Sequence, residues 1–518
     1  MSATNENSTL LRGKKKSKGV TIDVEDPTDM TEIDEQDKEK VNTRRNKDGW
    51  EKRKLCEVML LEEIPGSLFW LGFNPHLSLT KLSRQYGDIF TITFGSYNSI
   101  VLNSIESVRE TLVKRSRVYG GRPQLYSFTE VRAGLGILFI DQTPKYERQR
   151  KLAIRSLHRT FYETKNLDAI LNKEALKLLG EFRKFQSEPF HPKGLLRLLA
   201  ANLILKSFFD LDFEFNAPEA NEVVEMVEDF TKNTSPVNLS DIVPWLQMLP
   251  IGDFSKMRKL FQDFVGMHER FYISTARSRV PGQPRSLTDA LLDNLPLYNK
   301  GATDAGSEIT EKDLVYVLAD LVGAAFETIA NTLSWALMLV AAHPDWQIVL
   351  QSELDAVVGK DRLPSSEDRD KLPTLNAALY EVLRMSCVVP VSLPHSTTQD
   401  TKLREYNIPK GTFVFVNLWG IHHDPRHWEA PYEFNPRRFL DRNGNFFVPK
   451  HESFIPFSTG GRSCLGEKLA KDEIFVFFAA IVQRFQLHLV NNENVNDFNG
   501  DYRLTLAPKP YLLNIIER

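Results

Sequence analysis

The segment Asp313–Ala342 constrains this chain more than any other. It reads as one long helix, stopped by His343-Pro344, because a proline ring cannot continue a helix and disfavours helical backbone just before it. Its apolar residues surround the axis instead of forming one stripe. No face suits water, so the helix must run through a protein interior. Covering it takes a large body, and 518 residues suffice for one large domain with an extensive core.

The rest of the pattern supplies mostly helix. Helical spacing runs through Ala175–Phe213, Asn221–Phe230 and Leu375–Met385, and a last helix is expected over Glu467–Phe485. Asp88–Phe94 and Ser99–Asn103 are β-rich runs around Gly95-Ser96-Tyr97-Asn98, a hairpin signal, and Thr412–Leu418 is strand-like. Val280–Ser307, with three prolines, is expected to be mostly an exposed connection, with a short apolar helix at Ser286–Leu295. The fold class is mainly α with a smaller β-sheet region.

Residues 1–54 differ in kind. Lys14-Lys15-Lys16-Ser17-Lys18, the acid-rich Asp23–Glu39 and a second basic cluster at Arg44–Lys54 leave little to bury, so a disordered charged tail is expected before a folded domain at 55–518. A membrane-spanning helix needs about 20 largely apolar residues. The N-terminal candidate Leu55–Phe73 is broken by Glu57, Glu62, Glu63, Pro65 and Gly66, and no signal peptide is expected either. The formal net charge of -3 argues against a nucleic-acid partner. The 3 cysteines exclude a disulfide framework and fit a reducing, cytosol-facing compartment.

One of those cysteines has a distinctive setting. Cys464 lies in Phe457-Ser-Thr-Gly460-Gly461-Arg462-Ser463-Cys464-Leu465-Gly466, directly before the last helix. The glycines permit a tight loop with unusual backbone angles. Loop amides and the positive end of the following helix dipole favour a thiolate. Arg462 can pair with a carboxylate on the sulfur's ligand, and Phe457 can shield the sulfur from water. A buried structural cysteine explains Cys464 alone, but leaves the glycines, the arginine and the aromatic without a common reason.

At Phe457, Gly460, Arg462, Cys464 and Gly466 the loop resembles the haem-binding signature of the cytochrome P450 superfamily. The resemblance runs from about Leu61 to the C-terminus. It implies a cytochrome P450 fold, with haem b (iron protoporphyrin IX) between the long helix and the cysteine loop. Cys464 would be the metal ligand, Arg462 a propionate partner and Phe457 the shield. A thiolate ligand pushes electron density onto the iron and favours O–O cleavage. Glu381 and Arg384 share a helix face at i, i+3. They match the family's Glu-x-x-Arg motif, and Arg438 falls in its later aromatic-Pro-Arg-Phe motif, so a buried structural triad is implied. In Gly323-Ala324-Ala325-Phe326-Glu327-Thr328, resemblance makes Glu327 and Thr328 the acid–alcohol pair of oxygen activation, with Ala324 in the substrate pocket. Taken alone, Thr328 reads as a hydroxyl bonded back to its own helix. Ala325 stands where the family usually has Gly, and Ile329 where Thr or Ser is common, which implies a narrowed oxygen groove. Arg150 and His395 would bind haem propionates, with Tyr146 replacing the usual Trp as a cofactor-binding donor. His422 and His423 need no metal.

The strings Gly121-Arg-Pro-Gln-Leu-Tyr, Val243-Pro-Trp-Leu and Leu393-Pro-His-Ser-Thr-Thr resemble the animal microsomal steroid 17α-hydroxylase and aryl-hydrocarbon hydroxylase branch. That implies a monooxygenase acting on a small lipophilic substrate such as a steroid or xenobiotic. O2 and NADPH-cytochrome P450 reductase would be its partners, the latter at a basic face around Arg148, Lys151 and Lys468. Asn202 would contact the far end of the substrate. The cytosolic face of the endoplasmic reticulum membrane is implied, with peripheral attachment through apolar loops as the route this N-terminus leaves. Two rival readings stand beside it: a reductase-independent haem-thiolate isomerase or lyase, and a haem-binding protein that has lost catalysis.

Overall fold

A computed structural model describes residues 71–72, 74–94, 97–125, 134–186, 188–233, 252–300, 307–490 and 500–518, all within the unit Lys54–Arg518. The charged tail, its boundary and most of Leu55–Phe73 lie outside the described residues. Thirteen α-helices are described: α1 Pro75–Tyr86, α2 Ile105–Val108, α3 Pro144–His158, α4 Leu167–Arg183, α5 Pro192–Phe209, α6 Pro218–Asn233, α7 Gly252–Ser278, α8 Leu287–Asn299, α9 Glu311–Ala342, α10 Pro344–Val357, α11 Pro373–Ser386, α12 Leu418–His422 and α13 Glu467–Arg484.

The long apolar segment is α9, and its ends are set by local chemistry. Thr310 and Asp313 form a reciprocal capping box, which satisfies amides that the first turn leaves open. Lys145 and Gln149 of α3 also reach Asp313, at 2.9 and 3.1 Å. Most of α9 is buried, apart from its first residues and the stretch around Ala324, with α5, α7, α11 and α13 packed around it. The all-round apolar pattern thus marks the centre of a helical body, as the sequence requires.

The expected single run Ala175–Phe213 is two helices. Pro192 lacks the N–H that a continuing helix needs, so it starts α5 afresh. The intervening Phe190 instead exchanges backbone hydrogen bonds with Leu513. The expected exposed connection at Val280–Ser307 also needs correction. Its helical piece extends to Asn299 as α8, and Leu287, Ala290 and Leu291 are fully buried. Thr288 donates to Phe208 O at 2.8 Å, and Asn294 to Ser156 Oγ at 3.1 Å. Local proline content masked a helix that tertiary packing holds.

The sheet part is small. Strands β1 Ile89–Phe94 and β2 Tyr97–Leu102 form the expected antiparallel hairpin, with Ile89 opposite Leu102. Four further short strands follow: β3 His395–Ser396, β4 Thr401–Leu403, β5 Tyr406–Ile408 and β6 Phe413–Val416. β6 pairs parallel with β2 and antiparallel with β3, giving the order β1-β2-β6-β3. The last strands are β7 Phe485–Leu489, β8 Asp501–Tyr502, β9 Leu506–Ala507 and β10 Leu513–Glu517, with β7 on β10 and β8 on β9. β3 delivers His395 from the sheet, and α13 follows the cysteine loop, so sheet and helices meet at one place.

Candidate active site around Cys464

The cysteine loop is tightly drawn. Cys464 N–H donates to Phe457 O at 3.0 Å. Gly460 has φ +79°, and a Cβ there would lie 1.8 Å from Leu112 O, so only glycine fits. Lys471 of α13 sits 5.3 Å from the centre of the Phe457 ring. The protein surrounds Cys464, yet its own side chain remains exposed. Burial pushes its thiol upward, more than the backbone hydrogen bond of Gly466 lowers it. Burial acts against the charged form there, and the Gly466 hydrogen bond acts for it.

Three guanidiniums gather beside the loop. Arg462 donates to Gly120 O at 3.0 and 2.8 Å and to Ile137 O at 3.2 Å, and it stacks 3.9 Å from the centre of the Tyr146 ring. Arg150 donates to Ser463 O at 2.7 Å. Arg122 donates to Leu138 O at 2.7 Å and Pro394 O at 2.9 Å. Burial, and then Arg462 beside it, pushes Arg122 down to about 9. Among the described residues, none of the three has an ion-pair partner. His395 is buried near Arg122 and Arg462; burial first, and then those charges, hold its imidazole well below its ordinary value. Its Nδ1 has no hydrogen-bond partner. Cations collected in a protein interior are costly until an anion joins them. A cluster of donors beside an open cysteine fits a flat cofactor carrying carboxylates.

The long helix turns one face to this place. Val317 and Leu321 pack in a small core with Ile137, Tyr146 and Leu465, the residue after Cys464. Ala324 and Thr328 continue that stripe at i+3 and i+7 from Leu321. Ala324 is exposed, and Thr328 donates to Ala324 O at 2.8 Å and Ala325 O at 3.3 Å. Glu327 points elsewhere. It is buried against α5, where Arg197 donates to it at 2.7 Å, and Asn331 donates to its other oxygen at 3.3 Å. Arg197 also pairs with Glu228 of α6.

Glu381 lies at the centre of a buried charge group. Arg384 donates to both its oxygens, at 2.7 and 2.8 Å, and Arg438 donates to it at 3.1 Å. Glu381 and Arg384 are fully buried. The N–H of Asn435 adds a further bond to Glu381 at 2.9 Å.

Several residues named from the sequence have their polar groups engaged by the protein itself. Asn202 lies 2 % exposed inside α5, where its amide donates to Leu198 O and Phe215 O at 2.9 and 2.8 Å. These bonds tie α5 to the turn before α6, while its Oδ1 has no hydrogen-bond partner among the described residues. Arg148 is committed to the carbonyl of Ser307, which removes it from a free basic face; Lys151 stays exposed, and Lys468 stacks on Tyr162. Sequence reasoning also passed over Arg122, Arg197 and Asp320. Asp320, buried in α9, accepts the amides of Ile137 and Leu138 at 2.6 and 3.0 Å. The signal was present: a charged residue inside an apolar helix demands a partner.

Comparison with known proteins gives this geometry its family. The cytochrome P450 family model matches residues 62–515. The chain belongs to the cytochrome P450 family. Cytochrome P450 1A1 of the rat is 34% identical over 451 residues, 85% of this chain and 86% of the relative. Human cytochrome P450 2U1 is 33% identical over 448 residues, 86% of this chain and 81% of the relative. Two structures of a zebrafish cytochrome P450, one with progesterone and one with abiraterone, superpose with TM-scores of 0.75 and 0.73. Both are 31% identical; they cover 85% and 86% of this chain and are themselves covered to 99% and 100%. This cytochrome P450 is therefore an oxidoreductase, a monooxygenase with haem b as its cofactor. At family level its reaction takes an organic substrate, O2 and a redox partner. Among the described residues, no helix is long and apolar enough to cross a membrane.

Proposed function

We propose that this cytochrome P450 inserts one oxygen atom from O2 into a lipophilic substrate of steroid or polycyclic size, with electrons from an NADPH-dependent reductase. The observation that carries this reading is the shared stripe of α9: Val317 and Leu321 pack on the cysteine loop, and Ala324 and Thr328 continue the same face beyond it. An open cysteine near a helix face that bears a small residue and a hydroxyl supports this reading. The zebrafish relative's progesterone and abiraterone complexes support a steroid-sized ligand.

Cys464 holds the iron. Arg122, Arg150, Arg462, Tyr146 and His395 hold the propionates, whose charge offsets the gathered guanidiniums. Phe457 shields the sulfur, and the Glu381–Arg384–Arg438 group fixes the scaffold. When bound, haem supplies the one-electron and O2 chemistry that side chains lack. Thr328 hands a proton into the cavity from its hydroxyl, now bonded to Ala324 O. Glu327, once released from Arg197 or Asn331, would take a proton from solvent water and pass it on to the Thr328 oxygen. Peripheral contact with the endoplasmic reticulum membrane is part of the proposal.

Reconstitution with NADPH-cytochrome P450 reductase and a steroid panel tests this. Hydroxylated product that depends on reductase and O2 is expected, and Thr328→Ala should lower product per NADPH by about 10²-fold or more. Product formed without reductase would favour the isomerase or lyase reading. NADPH consumed without product would favour lost catalysis.

A further inference from the structure

The neighbouring His422 and His423 look like a metal pair, yet no group of three or more metal-ligating side chains occurs among the described residues. Their surroundings give them different work. His423, just past the end of α12, turns its Nδ1 back to Trp419 O at 3.0 Å. His422 is fully buried, and its Nε2 accepts the backbone N–H of Ile455 at 3.0 Å.

Ile455 is the corner from which the cysteine loop departs. Its carbonyl accepts the N–H of Ser458 at 3.0 Å, and Ser458 has the left-handed φ of +58°. Phe457, inside that turn, accepts the N–H of Cys464 at 3.0 Å. The main chain of His422 faces the other way. Arg384 donates to its carbonyl at 2.9 Å while holding Glu381 with its remaining nitrogens. The other backbone partners of the charge group are Glu429, Ala430, Pro431, Glu433 and Asn435. Among the described residues, its hydrogen-bonded route to the cysteine loop runs through His422.

We propose that His422 is a positioning residue: a neutral imidazole that carries the placement of the Glu381–Arg384–Arg438 group to the cysteine loop through its Nε2 lone pair. This rests on reading Cys464 as the iron ligand. An imidazole that accepts at Nε2 carries its proton on Nδ1, and Nδ1 has no partner in the protein. The tautomer is therefore fixed by the Ile455 bond alone. Residues that orient a metal ligand from behind typically change affinity or activity by about 10–100-fold when replaced.

The test uses the full haem-loaded chain, reduced and saturated with carbon monoxide. The readout is the fraction of haem giving the red-shifted thiolate band, compared at equal haem content so that a lower yield does not register. His422→Phe keeps a ring against Phe454, whose centroid lies 6.0 Å away, but removes the acceptor. It should raise the fraction lacking that band on the order of tenfold. His422→Gln puts an oxygen near the place of Nε2 and should stay within about twofold of wild type. His422→Asn is shorter and should behave like His422→Phe. A wild-type fraction in His422→Phe, or an equal loss in His422→Gln, overturns the proposal. Should His422→Phe yield no haem-loaded protein, the Gln and Asn variants decide, and equal fractions overturn it. A wild-type protein without the band overturns the reading of Cys464; a wild-type band with indifferent His422 variants overturns this inference alone.

Discussion

At the scale of single residues, Glu381 carries the most weight per atom. Its carboxylate answers two guanidiniums and a backbone amide, and neither it nor Arg384 touches water. Glu381→Ala leaves both arginines without countercharge, which typically costs about 3–5 kcal/mol for a buried pair. The expected result is a much lower haem content and a lower unfolding midpoint, read by the pyridine haemochrome and by circular dichroism. Wild-type haem content in Glu381→Ala would show the group to be dispensable. Much of the site was legible at this scale, because the motifs name residue types that have few other reasons to co-occur. A polar residue on an apolar helix, such as Asn202, reads the same whether it faces a ligand or a carbonyl. Arg122 was missed because its partners include main-chain atoms far away in sequence. Such partners leave no trace in local spacing.

At the scale of elements, the long helix α9 was legible at both ends, since the capping box and His343-Pro344 are written in the residues themselves. The β1–β2 hairpin was equally plain, because alternating apolar residues around a turn have one simple solution. The errors fell where tertiary contact overrides local preference. α8 contains Pro296 and still forms, since the core of α3 and α5 receives its apolar face. α4 and α5 share one apolar pattern but are broken by a backbone pairing with β10 that no local rule foresees. The turn of α9 around Thr328 is unbroken, with Ile329 buried behind it. Ala325 stays half-buried on this regular helix.

At the scale of the whole molecule, the interior holds several histidines as neutral groups. Burial pushes His76 and His422 down to about 3 and His268 down to about 4, from an ordinary value near 6.5. The unfolded chain binds protons at these positions below pH about 6.5, and the native state does not. Stability therefore falls as pH drops from about 6.5 toward 4. Glu473 works in the opposite sense: burial, with Asp472 beside it, pushes it up to about 8, so its contribution declines as pH rises from about 4.5 to 8. Three groups outweigh one, so the unfolding midpoint should be highest near pH 6.5 and drop steeply on the acid side. A midpoint unchanged between pH about 4.5 and 6.5 would contradict these buried neutral imidazoles.

The central claim is that Cys464 presents a thiolate to haem iron in the cradle of Arg122, Arg150, Arg462 and His395. The carbon monoxide difference spectrum of the reduced protein reads this directly, with Cys464→Ala alongside. The account predicts the red-shifted thiolate band in wild type and its complete loss in Cys464→Ala. A wild-type spectrum without that band, or a band that survives in Cys464→Ala, would contradict it.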